Sequence, residues 1–172
     1  MTIATTTSSA TSTTATVAAV YEAFGRGDVA FILDQLANDV VFDADWTDNH
    51  AQRAGVAHLT PRRGPAQVAE FFALIGTWQV DQFEVLDLIG SGLQVVAEIR
   101  AGFTLPNGGR FVDDELHLWT FNAGGKVSRF RHYVDTAKQI AAAAGADVTA
   151  DTLGQRPRLS ARSSSSARSR GL

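Results

Sequence analysis

The spacing of hydrophobic residues changes once along the chain, from a helical period in the first half to alternation in the second. Apolar residues recur at helical spacing in three segments. The first covers residues 16–24, the second contains Phe31, Ile32 and Leu36 after a possible N-cap at Asp28, and the third covers residues 65–75. From Trp78 onward they alternate, and glycine-containing turns separate the alternating runs. The pattern therefore predicts helices followed by a four-stranded meander, with strands at 78–89, 93–105, 110–121 and 126–134.

Three further segments complete the predicted domain. A short strand is expected over residues 39–45, and an alanine-rich helix over 136–144 closes the domain. Residues 46–64 are interpreted as a lid or pocket rim, because the segment is too long for a simple connection. Helices followed by a meander are typical of an α+β fold, in which a curved antiparallel sheet wraps over three helices of the N-terminal half. Such a sheet can enclose a pocket, and Gly102 suits the bending of a long strand.

The ends of the chain differ in composition from its middle. A chain of 172 residues with 45% hydrophobic content buries one good core, so one domain is expected, over residues 16–146. Residues 1–15 are almost all Thr, Ser and Ala and are predicted to be a disordered leader. Residues 147–172, rich in Ser and Arg toward the end, are predicted to be a flexible tail.

Charge is divided unevenly between the body and the tail. All 18 acidic residues lie at or before Asp151, whereas five of the 15 basic residues lie after it. The acidic body argues against nucleic acid as the main partner. The tail is interpreted as a solvated terminus, with contact to RNA or to an anionic surface as the alternative.

Composition excludes several classes of protein. The chain has no cysteine, which removes disulfides, thiolate zinc sites, iron–sulfur clusters and a thiol nucleophile. No apolar run approaches the roughly 20 residues that span a bilayer, and the first basic residue is Arg26. Neither a membrane helix nor a secretory signal is therefore expected, and the predicted location is cytoplasmic.

Chemically useful side chains concentrate in the hairpin formed by residues 115–135. Alternation places one set of residues on the same face: Glu115, His117, Trp119, Phe130 and His132. If Phe121 pairs with Lys126, His117 lies opposite Phe130, and Glu115 lies opposite His132. Glu115 could then orient His132 while His117 exchanges protons with a substrate. The alternative is a Glu–His pair on a half-exposed sheet that binds nothing.

A change of one residue in the turn register would reverse the two faces. The inward set would then be Leu116, Leu118, Thr120, Arg129, Arg131 and Tyr133. Two arginines make a poor interior unless an anion binds there. This face is therefore interpreted as a dimer interface or a solvent-exposed surface.

Aromatic residues are expected to line the pocket and to suit a flat, apolar small molecule. The candidates are Tyr21, Trp46, Phe72, Trp78, Trp119 and Phe130. Each of them could instead belong to the ordinary core.

Three tempting motifs lack the context that their chemistry requires. Residues 25–30 match a dinucleotide-binding pattern, but they link two helices where a strand should precede the glycines. Residues 43–48 resemble a calcium loop, but Asp48 occupies the required glycine position. His50 and His58 have no obvious third ligand. No metal and no cofactor are therefore predicted.

Two local motifs and the order of elements carry a resemblance to a known superfamily. One motif is Gly27-Asp28, leading to Ala-Asn-Asp-Val-Val at 37–41; the other is Phe-Asn-Ala-Gly-Gly-Lys-Val at 121–127, followed by Tyr-Val-Asp-Thr at 133–136. From about residue 16 to 144 the chain resembles the nuclear transport factor 2-like superfamily, in its SnoaL-like and ketosteroid-isomerase-like branches. The resemblance implies a cone-shaped α+β barrel with a deep pocket, often dimeric through the outer surface of the sheet.

The resemblance transfers function less directly than fold. Counted from these motifs, the tyrosine, base and acid positions of the steroid isomerases fall on Val20, Ala44 and His117. The tyrosine and the base are therefore missing from the counted positions. Tyr21 is one position away, and Asp43 is one of the two aspartates that flank Ala44, but a shift of one residue turns a side chain to another face. Isomerisation by the familiar mechanism is therefore not expected. His132 falls where SnoaL-like polyketide cyclases keep an acid/base aspartate.

The resulting hypothesis is a small cofactor-free enzyme that cyclises, isomerises, dehydrates or hydrates an apolar carbonyl or polyketide-like molecule. His117 is expected to be its principal acid/base, with support from His132 and Glu115. The alternative is a non-catalytic domain of the same fold that binds a small ligand or serves as a dimeric interaction module.

Overall fold

The computed structural model describes residues 6–46 and 49–149. The helical segments of this part are α1 (Thr6–Gly25), α2 (Val29–Asp34), α3 (His50–Arg53), a 3-10 helix (Ala57–Leu59), α4 (Gly64–Ile75) and α5 (Thr136–Ala143). Its strands are β1 (Leu36–Phe42), β2 (Arg62–Arg63), β3 (Gln79–Ser91), β4 (Gln94–Thr104), β5 (Arg110–Phe121) and β6 (Val127–Tyr133). None of the helices in this part is long and apolar enough to cross a bilayer.

The described strands form one curved sheet in the order β2-β1-β6-β5-β4-β3. Strands β3 to β6 make the predicted antiparallel meander, and β1 joins it by pairing in parallel with β6. The sheet is open, with β2 and β3 at its edges. A bulge in β3 lies opposite Gly102, where a Cβ atom would come within 3.3 Å of the Val112 side chain. The predicted α+β fold is confirmed.

The three helices α1, α2 and α4 pack on one face of the sheet, as predicted. They and the sheet share a core whose fully or almost fully buried members include Val17, Val20, Ile32, Val40, Val68, Val95 and Val127. A second cluster extends along β4 and β5 to Ala142 of α5. The pocket described below lies between these two clusters.

The first helix begins at Thr6 rather than at residue 16, so the predicted start was wrong. Residues 6–15 contain neither Gly nor Pro, and Thr13 is buried, with its hydroxyl 3.4 Å from the Gly92 carbonyl. This stretch of the predicted leader is therefore helical. The remaining residues of that leader, 1–5, lie outside the described residues, as do residues 150–172 of the predicted tail.

The segment between β1 and α4 is not a plain loop. Within its described residues it contains α3, the 3-10 helix and β2, and Asn49 caps α3 by accepting from the Ala51 and Gln52 amides. Ala51, Val56 and Leu59 are buried against α5 and the end of β6. This packing makes the segment part of the domain wall, whereas a mobile lid would be more exposed.

The hairpin register differs from the predicted one by two residues. His117 pairs with His132, and Trp119 pairs with Phe130. The predicted pairing of His117 with Phe130 and of Glu115 with His132 is therefore wrong. The register shifts between Thr120 and Phe121, so that Phe121 pairs with Val127 and not, as predicted, with Lys126. Because a shift of two keeps each side chain on its face, the predicted inward set is preserved.

Candidate functional site

An apolar cavity of about 80 Å³ lies between the helices and the concave face of the sheet. Its aromatic lining includes Tyr21, Phe24, Phe72, Trp78, Trp119 and Phe130. Its polar lining consists of Tyr21, His58, Glu115, His117 and His132. The cavity thus brings together all but one of the side chains singled out from the sequence.

Trp46 is the exception. Its ring lies 5.2 Å from that of Tyr133, and the Arg131 guanidinium lies 5.3 Å from its centre, on the face of β6 opposite the cavity. Strand β1 ends at Phe42, and the chain then turns past the edge of the hairpin. The prediction that Trp46 lines the pocket is therefore wrong.

His132 is held by a buried carboxylate that the alternation pattern did not point to. One oxygen of Asp43 accepts from the His132 backbone amide at 2.8 Å, and the other lies 2.7 Å from Nδ1. Because a carboxylate only accepts, Nδ1 carries the hydrogen and a neutral ring keeps Nε2 as a free lone pair. None of the described residues forms a hydrogen bond with that Nε2, and the ring lines the cavity.

Asp43 occupies an unusual backbone conformation, with a φ of 53°. β1 has ended one residue earlier, so strand alternation no longer decides where its side chain points. The Asp43 amide donates to the Phe130 carbonyl at 3.0 Å and fixes the turn against β6. The available signal was the type of residue, since Asp tolerates left-handed backbone better than most.

A second chain of hydrogen bonds starts at Trp119 and ends at Glu115. The indole Nε1 of Trp119 donates to Tyr21 Oη at 3.0 Å, and Tyr21 Oη lies 2.8 Å from His117 Nδ1. His117 Nε2 lies 2.9 Å from a Glu115 oxygen. Since an indole only donates and a carboxylate only accepts, Tyr21 donates to Nδ1 and Nε2–H donates to Glu115. Both nitrogens of His117 are therefore occupied.

Burial has the largest effect on the pKa values of the groups in this series of hydrogen bonds. It lowers the pKa of His117, although the hydrogen bond to Glu115 works in the opposite direction. It raises the pKa of the Tyr21 phenol. Burial alone would raise the pKa of Glu115, but the His117 hydrogen bond and the nearby imidazoles bring it below its usual range. The result is a neutral phenol and a neutral imidazole next to an ionised carboxylate.

Tyr21 was not expected at the tyrosine position of the isomerases, since the count from the motif fell on Val20. Both residues line the cavity, because the apolar face of α1 is wide enough to turn both toward the sheet. The cavity therefore contains the phenol of Tyr21, while the counted position is held by Val20. The aspartate next to Ala44 likewise reaches the site, through Asp43.

His58 and Gln139 form a third branch that sequence reasoning did not connect to the pocket. The Gln139 amide nitrogen lies 3.2 Å from Glu115 and 3.3 Å from Asp113, and its oxygen lies 2.9 Å from His58 Nε2. Burial, with help from the nearby His132, lowers the pKa of His58 to about 4. Burial also raises the pKa of Asp113. An isolated glutamine in an alanine-rich helix offered no signal of this role.

A larger groove of about 660 Å³ adjoins the cavity, between α1, α4 and β3. The two spaces share Tyr21, Phe24, Ile32, Phe72, Ile75, Trp78, Phe83 and Phe103. Of the described residues that line either space, none is Lys or Arg. Within the described part of the chain, no group of three His, Asp or Glu side chains is arranged to hold a metal ion.

Comparison with known sequences identifies the family. The sequence model of the SnoaL-like domain matches residues 17–130, more than half of the chain. The chain belongs to the SnoaL-like family. No protein with a curated description matches this SnoaL-like chain.

Solved structures of nuclear transport factor 2-like proteins superimpose on the SnoaL-like domain. A protein of that superfamily from Burkholderia xenovorans LB400 superimposes with a TM-score of 0.65 at 22% identity, covering 78% of this chain and 98% of its own. A candidate polyketide cyclase from Xanthomonas campestris gives 0.58 at 24% identity, covering 78% and 98%. An LEH-like epoxide hydrolase from M. tuberculosis gives 0.57 at 15% identity, covering 78% and 91%. At these identities the likeness establishes the fold.

Proposed function

We propose that this protein is a cofactor-free enzyme that moves protons on an apolar carbonyl or polyketide-like molecule. The observation that carries the proposal is the buried Asp43–His132 pair, which turns an unprotonated imidazole nitrogen toward an apolar cavity. A ligand-binding or catalytic role agrees with the SnoaL-like family and with its cyclase and epoxide hydrolase neighbours.

His132 is the proposed base. Its Nε2 would take a proton from the carbon next to the substrate carbonyl, which leaves an enolate on the substrate and an imidazolium on the protein. Asp43 accepts from both the ring and the backbone amide of His132, so it would stabilise the imidazolium and fix the orientation of the ring. No water needs to reorganise around a pair that is already buried.

Tyr21 is the proposed partner of the substrate oxygen. Its phenol stays protonated and points into the cavity, and in the free protein it donates to His117 Nδ1. An enolate oxygen next to Oη would compete for that hydrogen bond and would be the stronger acceptor. Trp119 holds the phenol oxygen in place from the other side.

His117 receives a different role from the one expected from the sequence. Because Tyr21 and Glu115 occupy its two nitrogens, it acts in this proposal as a positioning residue behind the phenol, and His132 replaces it as the principal acid/base. Glu115 supports His117, and not His132 as expected.

The fate of the enolate decides the reaction: reprotonation gives isomerisation, attack on a second carbonyl gives cyclisation, and loss of hydroxide gives dehydration.

Proton abstraction can be tested without knowledge of the natural substrate. 2-Tetralone, an apolar ketone with acidic α-protons, is incubated with the protein in D2O, and α-deuteration is followed by NMR. We expect the wild-type protein to accelerate exchange, and His132→Gln to lower the protein-dependent rate by at least about a hundredfold. His50→Gln, a change at an exposed histidine, serves as the matched control. Exchange that is equally fast with His132→Gln would refute the assignment.

The rival function is ligand binding without chemistry. The almost wholly apolar lining favours it, because such a cavity binds a neutral molecule whether or not it reacts. Binding of 2-tetralone that shifts the resonances of cavity residues, with α-exchange at the background rate, would support this rival and exclude the enzyme.

We also propose a homodimer that forms through the outer face of the sheet. Leu116 and Tyr133 pair across β5 and β6 on that face and are 47% and 38% exposed, which is unusual for large apolar side chains. Sedimentation of the wild-type protein and of Leu116→Lys tests the proposal, since a buried lysine at this position would favour the monomer. A cytoplasmic location stays a prediction.

A further inference from the structure

His58 is the polar group of the cavity that the proposed proton transfer does not use. It lies in the 3-10 helix, and its backbone is held by Arg62, whose guanidinium donates to the carbonyls of Ala57, His58 and Thr60 at 2.8 to 3.2 Å. The imidazole packs edge-on against Trp78 and parallel to Phe111, with ring centres 4.9 and 6.4 Å away. Both backbone and ring are thus fixed in one orientation.

The hydrogen bonds of Gln139 determine which nitrogen of His58 carries the hydrogen. Glu115 is ionised and can only accept, so the NH2 group of Gln139 must face it. The Gln139 oxygen is then directed at His58 Nε2 and must accept from it. His58 therefore carries its hydrogen on Nε2, and Nδ1 is left with a lone pair.

That lone pair has no partner in the described part of the chain, because the only hydrogen bond of the His58 side chain is the one to Gln139. The ring nevertheless lines the cavity, next to Trp78 and Phe111. A lone pair that has no partner in the described residues can accept from a molecule in the cavity, so the site favours a ligand that brings a donor to Nδ1.

We propose that His58 Nδ1 is a hydroxyl-recognition subsite and that Gln139 is the residue that positions it. The ligand class is a neutral, apolar carbonyl compound that carries a hydroxyl group near the carbonyl end. An anionic group is disfavoured, because no Lys or Arg lies among the described lining residues and Glu115 is close by. A hydroxyl is a small neutral donor, which suits the apolar walls of Trp78 and Phe111.

The inference rests on the proposed function in one respect, namely that a small molecule enters this cavity. It does not require turnover. A failure of α-exchange would therefore remove the proposed chemistry and leave the subsite intact, whereas the experiment below tests the subsite alone.

The first measurement reads the tautomer directly. Nitrogen-15 spectra of histidine-labelled protein at pH 7 should show His58 protonated at Nε2 and unprotonated at Nδ1. In Gln139→Leu, which lacks the acceptor, the two tautomers should mix, whereas His50→Phe should leave the His58 signals unchanged. A wild-type ring protonated at Nδ1, or a tautomer unaffected by Gln139→Leu, overturns the assignment.

The second measurement uses phenol and toluene, which have nearly the same shape and differ by a hydroxyl. Phenol should move the Nδ1 resonance of His58 in the direction of hydrogen bonding and should bind roughly fivefold more tightly than toluene, the value of one neutral hydrogen bond. His58→Phe should lower this preference, although His132 Nε2 stays available as an acceptor, and His50→Phe should retain it in full. Equal affinities for the two probes, or a Nδ1 resonance that phenol does not move, overturn the subsite.

Discussion

The imidazoles of His117 and His132 lie nearly perpendicular to each other, with ring centres 4.7 Å apart. His117 is hydrogen-bonded to Glu115, and His132 is hydrogen-bonded to Asp43. The two rings look equivalent in the sequence, but their hydrogen bonds differ. His117 has both nitrogens occupied, and His132 keeps one free. The difference assigns the proton-accepting role to one ring and a supporting role to the other.

Asp43→Asn should lower protein-dependent α-exchange of 2-tetralone by at least about a hundredfold. An amide can present its NH2 group to His132 and favour the tautomer in which Nε2 carries the hydrogen, so the base would be lost while the fold is kept. Asp45→Asn is the control, because Asp45 pairs with Arg129 and Arg131 on the outer surface. If both variants keep the wild-type exchange rate, the Asp43–His132 pair is not the base.

Tyr21→Phe should slow the same exchange and should also lower the free energy of unfolding by about 1–3 kcal/mol. Removal of the hydroxyl leaves both the Trp119 N–H and the His117 Nδ1 without a partner inside the protein. Tyr133→Phe loses only an exposed hydrogen bond from Arg131, so its stability should change by no more than about 0.5 kcal/mol. Urea denaturation of both variants makes the comparison, and equal effects would contradict the network.

His58 should make the stability of the protein depend on pH in a defined window. Its pKa falls from the ordinary value of 6.5 to about 4 on folding. Between these two pH values His58 is therefore protonated in the unfolded chain and neutral in the folded protein. The stabilisation is complete above pH 6.5 and is lost as the pH falls toward 4, by roughly 3 kcal/mol in total.

Chemical denaturation of His58→Gln at several pH values measures this contribution as the difference from wild type. The difference isolates His58, because burial lowers the pKa of His117 as well and gives it a contribution of the same sign. His50→Gln should follow the wild-type curve. A His58→Gln curve parallel to wild type between pH 6.5 and 4 would show that His58 is not buried in its neutral form.

Trp78 and Trp46 were both expected to line the pocket, but only Trp78 does so, and their variants should behave differently. Trp78→Leu should weaken binding of 2-tetralone, because Trp78 lines both the cavity and the adjoining groove. Trp46→Leu should leave the affinity unchanged, since its ring packs with Tyr133 and Arg131. Titration followed by NMR provides the affinities, and a loss of affinity in Trp46→Leu would contradict its placement.

Alternation and turn residues were sufficient to predict the meander and the inward face of its last hairpin. These features depend on local spacing, and they survived a register error of two residues because side chains in a strand repeat with that period. The helix start was less predictable: Thr and Ser have weak helix propensity, and the contact of Thr13 with the Gly92 carbonyl joins residues far apart in sequence.

The site residues that sequence reasoning missed are those fixed by tertiary contacts. Asp43 enters the site through a left-handed backbone after the strand has ended, and Gln139 enters because α5 folds back over β5. Neither event leaves a periodic signal in the sequence. Tyr21 was predicted to line the pocket, but its hydrogen bond to His117 was not predicted, because that bond depends on how α1 is placed against the sheet.

Gln139 and His132 both lie beyond residue 130, the last residue that the SnoaL-like sequence model matches. Similarity over the matched stretch therefore carries no information about the two side chains that set the free acceptors of the cavity. Before a substrate is transferred to this chain from a relative, these two positions have to be compared.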